Sequence, residues 1–122
     1  TRDTVGDVRT RWLADRSLYE GIFDRIGAIV DSGKQALSTG DAPTLARCMD
    51  DNQCLLRELG VSSDKLERLI EAAKKTGASG AKLSGGGRGG CMIALVDEAN
   101  RDRVAAALMF AGAHHVMVTT LR

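Results

Sequence analysis

Apolar side chains recur every three to four positions over the first two-thirds of the chain and then bunch into short unbroken runs. That change of period divides helices from strands. Val5, Val8 and Trp12 share one face of a short first helix. Ser17 with Glu20 matches a capping box, and Leu18, Ile22, Ile26, Ile29, Gly33 and Leu37 then predict a long amphipathic helix ending near Thr39 and Gly40. Asp41 caps a third helix with Pro43 in its first turn and the stripe Leu45, Cys48 or Met49, Asn52, Leu55 or Leu56, and Leu59, closed by Gly60. Asp64 and Glu67 open a fourth, whose Leu66, Leu69, Ile70 and Ala73 face inward as far as Gly77.

The remainder predicts a short strand from Ala81 to Leu83, a loop from Ser84 to Gly90, and a second strand from Cys91 to Val96. A fifth helix follows through Val104, Leu108 and Ala111, capped by Asp97 or Asn100, and His115 to Thr120 reads as a β-rich third strand. The expected fold is α+β, one domain spanning residues 1–122, with about five helices packed on one face of a small antiparallel sheet.

Composition narrows the partners. With 17 Lys and Arg against 16 Asp and Glu, the net charge is +1 and no block of one sign occurs, which argues against nucleic acid or an anionic membrane. No run approaches a membrane span and no signal pattern opens the chain, so a cytoplasmic setting is expected. The three cysteines lack C-x-x-C spacing and suggest neither disulfides nor zinc. The first residue is Thr1 rather than methionine, and the chain reads as a piece of a longer protein.

The strongest chemical signal is Ser84-Gly85-Gly86-Gly87-Arg88-Gly89-Gly90, because five glycines in seven residues let backbone N–H groups approach an anion with no Cβ in the way. A phosphate cradle and a plain tight hairpin both fit. The loop does not match the G-x-x-x-x-G-K-[ST] pattern, which excludes a Walker-type site. Asn52 interrupts the apolar stripe of the third helix, and a buried amide without partners costs about 1–3 kcal/mol. It reads either as a structural amide or, with Gln53 beside it, as support for a site. Asp50 and Asp51 point about 100° apart on a helix and form no acid–base pair, so solvation is their expected role. His114 and His115 alternate between faces and chelate no single ion. Thr1 and Arg2 precede the first helix, where a hydroxyl caps the helix or meets a phosphate.

Three segments together resemble the C-terminal half of the mevalonate kinase family, within the superfamily of galactokinase, homoserine kinase, mevalonate kinase and phosphomevalonate kinase. They are Thr1 to Arg9 (T-R-D-T-V-G-D-V-R), Asp51-Asn52-Gln53 with the following Leu59-Gly60-Val61, and Ala81 to Cys91 (A-K-L-S-G-G-G-R-G-G-C). The resemblance implies a ferredoxin-like domain packed against its own N-terminal domain, with ATP and Mg²⁺ phosphorylating mevalonate to 5-phosphomevalonate in isoprenoid biosynthesis. It places the catalytic aspartate, lysine, metal ligands and P-x-x-x-G-L-G-S-S-A loop in the other half, so this chain is expected to hold no catalytic or metal residue and to be inactive alone, with no bound cofactor. Ser84, Gly85, Gly86, Gly87, Arg88, Gly89 and Gly90 then correspond to the phosphate-side loop, and Thr1 to a residue near the substrate. Asn52 and Gln53 match a helix segment of unassigned role, and Arg88 departs from the usual run of glycines. The family sheet also has a strand upstream of Thr1, which leaves an open edge here and predicts homo-oligomers or poor solubility. The competing readings are another small-molecule kinase of the superfamily and a non-catalytic ligand-sensing or assembly domain.

Overall fold

The computed structural model describes residues 2–84 and 91–119, and side chains from residue 8 onward. Five helices precede or flank one antiparallel hairpin: α1 (Arg2–Ala14), α2 (Arg16–Thr39), α3 (Ala42–Leu59), α4 (Asp64–Lys75), β1 (Gly80–Ser84), β2 (Cys91–Leu95) and α5 (Arg101–Phe110). The α+β class and the five helices match the pattern of the sequence.

Local chemistry accounts for the boundaries. Asp15, two residues before the Ser17 of the expected capping box, caps α2 by accepting the Leu18 N–H at 3.2 Å. Asp41 does the same for α3 through Thr44 N–H at 3.2 Å, and Gly60 ends that helix in the left-handed region at φ 81°. Ser63, rather than Asp64, caps α4 through Leu66 N–H at 3.2 Å. Asp97 and Asn100 exchange side-chain bonds with each other's backbone N–H at 3.0 and 3.1 Å, which folds the turn ahead of α5.

Two clusters make up the core, and α4 and β1 contribute to both. Leu69, Ile70, Ala73, Ala78, Ala81, Val104 and Leu108 form one; Ile22, Leu55, Leu59, Val61, Leu66 and Leu83 form the other, with Met92 packed against each. Within the α3 stripe, Met49 and Leu55 are buried along with Asn52 and Leu59, whereas Cys48 and Leu56 are only partly so, and Leu18 and Leu37 of α2 lie outside the core at 52% and 53% exposed.

The third strand is a correction. Residues 115–119 carry no strand, and the sheet among the described residues has two strands, β1 and β2, paired from Gly80↔Leu95 to Ser84↔Cys91. Thr120 lies outside the described residues. β-branched residues favour a strand when a ladder partner and a packed face are present. Here only Val116 packs against the core, whereas Met117 and Val118 face outward.

The outer edge of β1 is also filled. Asp50 and Gln53 of α3 accept the Ala81 and Leu83 N–H groups, so side chains do on this edge what a further strand does elsewhere. Gly80 permits that approach: a Cβ there would stand 2.6 Å from the Ala46 carbonyl oxygen of α3.

Candidate functional site

The last pair of the hairpin, Ser84↔Cys91, flanks residues 85–90 in sequence, and the position of Ser84 is set by what holds β1. That holding comes from α3. Asp50 and Gln53 lie three residues apart and share a helix face, and they meet the N–H groups of Ala81 and Leu83, which lie two apart and share a strand edge.

Asp50 uses both oxygens. Oδ1 accepts the Ala81 N–H at 3.1 Å, and Oδ2 accepts from Lys74 Nζ at 2.5 Å. Lys74 also donates to the Ser79 carbonyl at 3.1 Å, which ties the end of α4 to the approach to β1.

Gln53 is the more buried partner, 2% exposed, and it uses both ends of its amide. Oε1 accepts the Leu83 N–H at 2.8 Å; Nε2 donates to Glu67 Oε2 at 2.7 Å and to Ser62 Oγ at 3.2 Å. A backbone donor on one side and a carboxylate on the other fix the orientation of the amide. Ser62 Oγ donates to the same Glu67 oxygen at 2.6 Å, and Arg57 Nε donates to Glu67 Oε1 at 2.6 Å. Burial pushes the Glu67 carboxyl up, but the bonds from Ser62, Arg57 and Gln53 outweigh it and hold the group below its ordinary value.

Lys82 lies between the two anchored residues. It is partly buried, and burial pushes its ammonium below the usual lysine range. Among the described residues no carboxylate pairs with it.

Of the residues singled out from the sequence, Asn52 and Gln53 are both buried, at 6% and 2% exposed, and Gln53 is the one bonded to β1. Ser84 ends β1, half-buried. Thr1, Gly85, Gly86, Gly87, Arg88, Gly89 and Gly90 lie outside the described residues. Asp50 is not merely solvated, as expected, but binds β1. From the sequence Glu67 reads only as part of the start of the fourth helix, and Ser62 as an ordinary polar residue ahead of it; their bonds to Gln53 depend on how α3 and α4 cross. The i, i+3 spacing of Asp50 and Gln53 beside the buried Met49 and Asn52 was the available signal. No metal-binding cluster of His, Cys, Asp or Glu occurs among the described residues. The groove between α2 and α3, lined by Arg25, Ile29, Asp51 and Cys54, uses another face of α3 and is bridged by Arg25 and Glu58 at 3.6 Å.

Residues 34–114 match the family model described as GHMP kinases C terminal. The chain belongs to this family. It is 41% identical over 117 residues to a curated mevalonate kinase of Pyrococcus abyssi, an alignment that takes in 92% of this chain and 35% of the relative. The chain thus spans about a third of the length of the curated relatives it matches. Among solved structures it is similar to L. major mevalonate kinase in complex with R-mevalonate, with a TM-score of 0.84 and 33% identity over 89% of this chain and 34% of that one. Mevalonate kinase from Methanococcus jannaschii superposes with a TM-score of 0.71 and 29% identity over 89% of this chain and 32% of that one. As a member of the GHMP kinase C-terminal family, the chain shares its fold with domains of kinase enzymes. None of its described helices is long and apolar enough to cross a membrane.

Proposed function

We propose that residues 1–122 form the C-terminal domain of an ATP-dependent mevalonate kinase, which acts with its own N-terminal domain to phosphorylate mevalonate to 5-phosphomevalonate in cytoplasmic isoprenoid biosynthesis. The observation that carries this reading is the 41% identity to a curated mevalonate kinase across 92% of the chain. The anchored hairpin supports it, because α3 holds β1 up to the point where the glycine-rich segment begins.

The residues present fit one part of a nucleotide. Ser84 supplies a hydroxyl at the end of β1, and the glycines that follow remove every Cβ from five of six positions, which suits close approach by a polyphosphate. Metal ligands are another matter: with no cluster of metal-binding side chains among the described residues, Mg²⁺ is assigned to ligands of the rest of the enzyme. When bound, the nucleotide supplies the phosphoryl group. This chain binds and orients its phosphates, and Thr1 contributes near the mevalonate. The ferredoxin-like arrangement belongs to the same reading, with the sheet extended beyond β1 and β2. So does inactivity of residues 1–122 alone, since one wall of a two-walled cleft buries too little of a ligand to hold it in place.

The test is a coupled ADP-release assay on the full-length protein that carries this chain, offered mevalonate, homoserine and galactose in turn. ADP release that depends on mevalonate is expected. Turnover with another alcohol and none with mevalonate overturns the substrate assignment.

A further inference from the structure

We propose that Lys82 contacts ligand directly, binding a phosphate group at the mouth of the β1–β2 hairpin; the inference rests on the phosphotransferase reading above and adds a residue to that site.

Strand alternation sets the geometry. Ala81 and Leu83 turn inward, each into one of the two core clusters, so Lys82 and Ser84 project from the opposite face of β1. Across the hairpin, Lys82 pairs with Ile93 and Ser84 with Cys91, and both β2 residues are exposed. That face is open to a ligand. Lys82 and Ser84 are about 7 Å apart along the strand, a span that one diphosphate bridges. The backbone beneath is held on both sides of Lys82, by Asp50 at Ala81 and by Gln53 at Leu83.

Charge supplies the second half of the argument. Lysine is seldom buried without a partner, because a desolvated ammonium costs free energy until an anion meets it. Lys82 is partly buried and forms none of the ion pairs among the described residues. Four of the six acids on α3 and α4, the helices packed on β1, are engaged elsewhere: Asp50 with Lys74, Glu67 with Arg57, Glu71 with Lys75 and Glu58 with Arg25; the other two, Asp51 and Asp64, form no ion pair with Lys82. Desolvation lowers the readiness of Lys82 to hold its proton in the free chain. An arriving phosphate reverses that cost and gains a charge-assisted hydrogen bond from a compact ammonium.

The experiment titrates MgADP and, separately, inorganic pyrophosphate into the full-length protein carrying this chain, comparing wild type, Lys82→Met and Lys82→Arg, with melting temperatures recorded for each. Hydrogen bonds to charged groups imply a weakening of about tenfold for both probes in Lys82→Met, and near-wild-type binding in Lys82→Arg. Lys82→Met is also expected to melt at the wild-type temperature or above, since it removes a desolvated charge. Equal affinity in wild type and Lys82→Met overturns the inference. So does a lower melting temperature with unchanged affinity, the mark of an ion pair to another part of the protein. A wild-type protein that binds neither probe overturns the phosphotransferase reading itself, and the role of Lys82 with it.

Discussion

Gln53 Oε1 accepts the Leu83 N–H at 2.8 Å, joining the middle of α3 to the penultimate residue of β1 across thirty positions of sequence. The bond satisfies an amide on the edge of β1 turned away from β2, and it does so inside the core, where an unpaired N–H is costly. Replacing the side chain by leucine orphans the Leu83 N–H and leaves Glu67 and Ser62 short of a donor. Gln53→Leu is expected to lose about 2 kcal/mol in urea unfolding. Exchanging the two groups, Gln53→Glu with Glu67→Gln, restores one amide and one carboxylate and is expected to recover at least half of that loss. A double variant no better than Gln53→Leu contradicts the network.

Gly80 and Gly27 make a matched pair. A Cβ at Gly80 would meet the Ala46 backbone at 2.6 Å, whereas one at Gly27 in α2 meets nothing within 4 Å. Gly80→Ala is expected to destabilise by about 1–3 kcal/mol because α3 and β1 must separate. Gly27→Ala is expected to stabilise by about 0.5–1 kcal/mol, from the helix preference of alanine over glycine. Chemical denaturation of both variants reads the difference in sign.

The side chain of Leu66 is 1% exposed and sits where α2, α3, α4 and β1 converge. Leu66→Ala is expected to cost about 2–5 kcal/mol, with the higher end expected if the surrounding helices fail to close over the void. Calorimetry gives the value.

Glu67 predicts an acid limb. Its folded-state value lies below the ordinary 4.5, so its contribution is fully present above about pH 4.5 and is lost as pH falls through the lower folded value. The wild-type urea midpoint is therefore expected to drop more steeply between about pH 5 and pH 3 than that of Glu67→Gln, which is the less stable protein at neutral pH. Parallel profiles contradict the assigned role of the carboxylate.

Much of this architecture was legible in the chain. The 3.6-residue stripes located α2, α3 and α4 because each buries one face, and Gly40 and Gly60 marked the helix ends through their left-handed conformations. Asp15 and Ser63 were missed as caps because each stands within two residues of another equally suited to the task, Ser17 and Asp64, and only backbone geometry separates them. The segment 115–119 misled because its β-branched composition describes what a strand looks like once paired, and no ladder partner stands beside it among the described residues. Asn52 announced a buried polar position, yet the bond to β1 belongs to its neighbour Gln53 and to Asp50, since which helix residue reaches a strand edge depends on the crossing of two elements distant in sequence.

The most direct measurement is phosphorus NMR of mevalonate and MgATP incubated with the full-length protein carrying this chain, and in parallel with residues 1–122 alone. A phosphate monoester on the primary hydroxyl of mevalonate, formed by the full-length protein and absent with residues 1–122, is the predicted result. ATP left intact by the full-length protein in the presence of mevalonate would contradict the account.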